Sequence, residues 1–81
     1  MKEIIKFSAS WCQPCQQLKR ALEGVDLGVN IVDVDIDKDF ELALKYKVQS
    51  VPTLVLLEDE VEKKRLVGMQ TVGAIREAFN L

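Results

Sequence analysis

Cys12 and Cys15 are the only cysteines in the chain, and they stand two residues apart in the stretch Trp11-Cys12-Gln13-Pro14-Cys15 near the N-terminus. Two thiols at that spacing can hold a metal, brace a fold, or cycle between dithiol and disulfide. Structural zinc takes four ligands, usually two pairs of cysteine or histidine. This sequence has one cysteine pair and no histidine, so carboxylates or a second chain would have to complete a metal site. Bracing is a poor use of the pair, because a disulfide stabilises chiefly by restricting a long unfolded loop and this one closes a very short ring. Redox cycling is the favoured reading. The plainer alternative is a pair of small apolar residues at the start of a helix.

Disulfide exchange requires a thiolate, and a cysteine at a helix N-terminus meets unpaired amide donors and the positive end of the helix dipole. Cys12, nearer that end, is the expected nucleophile. Its attack on a substrate disulfide gives a mixed disulfide, which Cys15, one turn further in, must resolve. Cys15 is accordingly expected to be the more buried sulfur. Pro14 restricts the backbone between them and removes a donor, which helps keep the two sulfurs at bridging distance in both redox states. Trp11 is either a partly buried aromatic anchor or part of the surface that meets substrate.

The elements that must position these residues follow from periodicity. Glu3 to Phe7 is a short β-branched and aromatic run that reads as a buried strand. After the polar break Ser8-Ala9-Ser10, Pro14 sits where a first helical turn tolerates it, and Leu18, Ala21, Leu22 and Val25 follow at helical spacing. Gly24 and Gly28 punctuate the end of that helix. Val29 to Asp35 alternates as a second strand, and Asp37 is expected to cap a helix with Phe40, Ala43 and Leu44 inward. Leu54 to Leu57 is a continuous apolar strand, Val61 to Val67 its hairpin partner, and Thr71 caps a last helix with Val72, Ile75, Ala78 and Phe79 inward. The order β-α-β-α-β-β-α predicts an α/β fold with a mixed sheet and helices on its faces.

Composition bounds the function. With 81 residues, 48% of them hydrophobic and 30% charged, residues 1–81 read as one small globular domain. The formal charge of −2 comes from scattered acids and bases, with no basic stripe to follow phosphates, so nucleic acid is not an expected partner. The N-terminal MKEIIKFSAS is too short in apolar residues for a signal segment, and nothing downstream could span a bilayer. No membrane association is expected. The cytoplasm is the expected location, where lasting disulfides are rare and a vicinal pair is more suited to cycling.

Trp11-Cys12-Gln13-Pro14-Cys15 opening a helix after a strand, Val51-Pro52-Thr53 opening a later strand, and Val67-Gly68 closing the hairpin together resemble the thioredoxin family, over essentially the whole chain. The resemblance implies a minimal thioredoxin fold with a four-stranded mixed sheet, lacking the N-terminal strand and helix of full-length members. It implies that Pro52 is a cis-proline whose turn sets the main chain of Val51 beside the cysteines, where a substrate peptide can pair with it. Gly68 would leave space near the same groove. Read without the resemblance, Pro52 is an edge or turn proline and Gly68 a turn glycine. The implied activity is reduction of protein disulfides by a monomer. No bound cofactor is needed, since the electrons travel on the two sulfurs, and thioredoxin reductase is favoured over glutathione for recycling.

Departures from the family pattern sharpen these expectations. Gln13 and Gln16 stand where thioredoxins usually carry glycine and lysine. Gly68-Met69-Gln70-Thr71 does not supply the glutathione turn of glutaredoxins, and the absent histidine removes the group that makes protein disulfide isomerases oxidising. A reducing protein is expected. Two alternatives stay open: a glutathione-dependent glutaredoxin-like enzyme, and a peptide-binding module that uses Pro52 and Trp11 without turnover. The residue six before the first cysteine, commonly a buried aspartate in thioredoxins, is Lys6, and Asp33 falls where a lysine is common. The expectation is a salt-bridged pair beneath Cys15 with Asp33, directly or through a water, as proton acceptor, because a paired lysine has no lone pair to offer. If that pair is buried, losing either partner should cost about 3–5 kcal/mol. The alternative is that Lys6 runs its stem along the sheet and reaches water.

Overall fold

Period-two alternation sorts the first strand onto both faces of a sheet. In the computed structural model, which describes residues Met1–Leu81, β1 spans Lys2–Ser8 and sends Ile4 to one buried cluster and Ile5 and Phe7 to another. It is followed by α1 (Gln13–Leu22), β2 (Asn30–Asp35), α2 (Phe40–Lys45), β3 (Thr53–Glu58), β4 (Val61–Val67) and α3 (Val72–Phe79). The strands lie in the order β2-β1-β3-β4. β1 runs parallel to β2 and antiparallel to β3, and β3 runs antiparallel to β4, giving the expected mixed four-stranded sheet.

Helices cover both faces, because β1 and β3 are apolar on both. Leu18 of α1 and Ile75 and Phe79 of α3 pack with Ile4, Leu54 and Leu56 on one side. Ala43 of α2 packs with Ile5, Phe7, Val34, Val55 and Leu57 on the other. Caps fix where the helices begin: the Asp39 side chain accepts from Leu42 N–H and the Thr71 hydroxyl from Ala74 N–H. Gly24 and Gly28, with φ of +73° and +77°, turn the chain from α1 into β2.

Two expectations are corrected here. Asp39, not Asp37, is the cap of α2. Of the three residues expected to point inward from that helix only Ala43 does, while Phe40 and Leu44 are 63% and 60% exposed. Two apolar stripes compete on this one short helix, and the stripe of Leu42, Ala43 and Tyr46 wins because it packs on Phe7, whose ring centroid lies 5.9 Å from that of Tyr46.

Candidate active site

β1 ends at Ser8, and the chain turns through Ala9 and Ser10 so that α1 begins directly after Cys12. Cys12 is the N-cap of α1, with an extended backbone (φ −93°, ψ 113°), and its sulfur accepts a hydrogen bond of 3.2 Å from Cys15 N–H. The amide that a capping oxygen would ordinarily satisfy is satisfied by sulfur instead. A donor of this kind favours the charged form of the sulfur that accepts it, as does the positive end of the helix. Pro14 lies inside the first turn, where its missing N–H leaves nothing unpaired.

Cys12 and Cys15 form a disulfide, with Cα atoms 5.2 Å apart. Both belong to a small apolar cluster with Ala9, against which Ile36 and Val51 pack. Cys15 was expected to be the more buried sulfur; Cys12 and Cys15 are 5% and 4% exposed, a difference too small to assign roles. Burial does not separate the two; position on the helix does.

The Val51–Pro52 peptide is cis. Val51 is half-buried, and its carbonyl oxygen lies 3.6 Å from Cys12 Sγ. Pro52 is buried, and its carbonyl accepts from Gly68 N–H at 2.8 Å. That bond joins the loop after β4 to the turn before β3, so Cys12, Val51, Pro52 and Gly68 stand at one end of the sheet. Gly68 has a φ of +89°, and a Cβ built on it meets nothing within 4 Å. The positive φ favours glycine here, and the space beside it is open, as expected. Trp11 is 67% exposed, and its indole N–H donates to Asp37 Oδ2 at 2.9 Å. Asp37, freed from capping, is the site residue that sequence reasoning missed. Its signal was local: Asp35 and Asp39 take the turn and cap roles on either side of it.

Behind the disulfide, Cys15, Gln16, Lys19 and Glu23 of the chain from α1 onward face Lys6, Asp33 and Asp35 of the sheet across an open cavity of about 520 Å³. Lys6 and Asp33 are register partners on β1 and β2, and Lys6 Nζ lies 2.9 Å from Asp33 Oδ1. The pair is formed but only half sequestered: the Lys6 side chain is 12% exposed and that of Asp33 69%. The ion pair is present, but it is Asp33 and not Lys6 that lies open to water.

The geometry is that of a strand, a capping cysteine, a helix carrying a second cysteine one turn on, and a proline turn facing the first sulfur. Comparison with known proteins gives the same pattern a family. A family model described as Thioredoxin matches residues 1–80. A thioredoxin from Bacillus subtilis is 38% identical over 81 aligned positions, spanning 95% of this chain and 78% of that protein. One from Chlamydia trachomatis is 41% identical over 70 positions, spanning 83% of this chain and 69% of that protein. Among solved structures, a mutant thioredoxin from Halobacterium salinarum superposes with a TM-score of 0.87 at 33% identity, covering 94% of this chain and 69% of that one.

Proposed function

Because the chain belongs to the thioredoxin family and is a thiol-disulfide oxidoreductase that reduces protein disulfides through its cysteine pair, we propose that Cys12 is the attacking sulfur and Cys15 the resolving one. The observation that carries the assignment is the hydrogen bond from Cys15 N–H to the Cys12 sulfur at the helix N-cap, a donor that Cys12 receives. A thiolate at Cys12 attacks the substrate disulfide, the departing substrate sulfur takes a proton, and Cys15 then displaces the second substrate sulfur from Cys12. Two electrons pass to the substrate, and the protein is left as the Cys12–Cys15 disulfide.

The substrate peptide lies against Trp11, Pro14 and Gly68 and pairs with the main chain of Val51 beside Pro52. This reading is supported by the half-buried state of Val51 and by its carbonyl oxygen 3.6 Å from Cys12 Sγ. Asp33, directly or through water in the cavity it shares with Cys15, accepts the proton that Cys15 gives up, with Lys6 as its partner. Residues 1–81 act as one domain and as a monomer in the cytoplasm. A flavoprotein thioredoxin reductase, not glutathione, re-reduces the disulfide. No helix of the protein is long and apolar enough to cross a membrane.

Trapping tests the assignment. Cys15→Ser accumulates a mixed disulfide with a model substrate through Cys12, and iodoacetamide labels Cys12 before Cys15 in the reduced protein, both read by peptide mass spectrometry. Preferential labelling of Cys15 overturns the roles. Re-reduction supported by NADPH and thioredoxin reductase, and not by glutathione alone, is the expected recycling result, and the reverse overturns it.

A further inference from the structure

Phe40 and Leu44 are two large apolar side chains that the core does not use. Both are exposed on the outer face of α2, while Leu42, Ala43 and Tyr46 hold that helix to the sheet. Their place relative to the cysteines is fixed by hydrogen bonds. Trp11, covalently next to Cys12 and itself exposed, donates its indole N–H to Asp37. Lys38 N–H and Asp39 N–H both donate to the Asp35 carbonyl, closing a turn around Asp37 that delivers Phe40 as the first residue of α2. Leu44 follows one turn later on the same face. Trp11, Phe40 and Leu44 therefore succeed one another, beginning beside Cys12 and leading away from it along the helix. Val67 and Met69, also exposed, flank Gly68 and belong to the site already described.

Size and position decide what covers the stripe. A stable interface takes about 800 Å² from each partner. Two side chains on a six-residue helix cannot supply that area, so the stripe does not hold a second copy of the chain by itself. It suffices as the continuation of a contact made at Cys12, where the mixed disulfide holds the substrate in place and a further contact acts at high effective concentration. Apolar surface of this kind takes an apolar side chain. We propose that Phe40 and Leu44 are a secondary docking stripe for the substrate protein, which favours disulfides with an aromatic or aliphatic side chain some residues away from the cystine. The inference rests on the reading that substrate binds through Cys12. It adds no chemical step; the stripe acts on which disulfide is presented and how long it stays.

Symmetrical disulfide peptides test it. Arms of about nine residues, extended, reach along the 29 Å of the longest axis of the molecule, so a single tryptophan stepped outward from the cysteine on either side samples every distance to the stripe. The reduced protein should turn over one or more stepped peptides with kcat/KM about fivefold above an all-polar peptide, with the preference strongest away from the cysteine. Phe40→Ser combined with Leu44→Ser should abolish the preference and leave the all-polar peptide unaffected, whereas Phe40→Leu combined with Leu44→Phe should retain it. A wild type indifferent to the tryptophan, or a preference that survives in the double serine variant, overturns the proposal. Self-association of the wild type that the serine variant loses in sedimentation, or a loss confined to re-reduction by thioredoxin reductase, assigns the stripe to another occupant and also overturns it. An all-polar peptide that forms no intermediate linked through Cys12 overturns the reading on which the proposal rests, a result distinct from lost selectivity with turnover intact.

Discussion

A sulfur that caps a helix is the smallest unit of this protein's chemistry. Cys12 occupies the position that serine, threonine or aspartate would normally fill, and the 3.2 Å contact from Cys15 N–H gives its anion a donor that Cys15 does not itself receive. Both cysteines were legible from spacing alone. The Lys6 and Asp33 pair was legible as a pair, but its exposure was not, because exposure depends on what covers β2 and not on the two residues themselves. That exposure resets the expected energetics. Asp33→Ala should lower stability by under about 1 kcal/mol, since a partner in water contributes little. Lys6→Ala should cost more, about 1–2 kcal/mol, because it also strips a buried stem from the sheet. Urea denaturation of the two variants checks this, and equal losses of the size expected for a fully buried pair would contradict it. Asp37 was hidden for a different reason: any of three nearby aspartates could have capped α2. Asp37→Ala leaves the Trp11 indole without its protein partner. It should weaken substrate binding, read as a raised KM for insulin with stability changed by less than about 1 kcal/mol.

At the scale of elements, α2 shows where periodicity runs out. Phe40 and Leu44 are spaced four apart and form as good a helical stripe as Leu42, Ala43 and Tyr46, and six residues are too few for the pattern to break the tie. Tertiary packing breaks it, through the contact of Tyr46 with Phe7. Phe40→Ser and Leu44→Ser should therefore change stability by no more than about 0.5 kcal/mol, whereas Ala43→Leu should overpack the sheet and cost about 1–3 kcal/mol. Thermal denaturation separates these outcomes. β4 is an edge strand whose Lys63 and Lys64 are exposed, charges that discourage pairing with another sheet edge. Arg65 ties this strand to α2 by donating to the Tyr46 carbonyl and to both Glu62 oxygens. The hydrogen bond from Arg65 holds the Glu62 carboxyl below its usual value of 4.5. A carboxyl lowered by folding adds stability above its unfolded value and loses that stability as pH falls through the folded one. The stability difference between wild type and Glu62→Gln, under about 1 kcal/mol for side chains about one-third exposed, should thus shrink on acidification below pH 4.5. A difference that stays constant with pH would contradict the ion pair's role.

For the whole molecule, one sheet divides the interior into two apolar half-cores and leaves the functional residues at one end, where β1 runs into α1 and the proline turn meets the loop after β4. Element order, sheet composition and the two cysteines could be read from the sequence because each is set by local pattern. The Gly68 bond to the Pro52 carbonyl, the Asp37 bond to Trp11 and the open cavity behind Cys15 could not, because each joins segments that only the fold brings together. Leu18, wholly buried between α1 and the sheet, measures how strongly that end is supported: Leu18→Ala should cost about 2–5 kcal/mol in urea denaturation, and a cost under 1 would mean the helix bearing the cysteines is held by something else. The central claim, that this assembly turns over as a disulfide reductase, is tested most directly by insulin reduction with dithiothreitol, comparing wild type with Cys12→Ser of verified fold. The wild type should accelerate precipitation of the insulin B chain and Cys12→Ser should leave it at the rate of dithiothreitol alone. A Cys12→Ser protein as active as wild type would contradict the account.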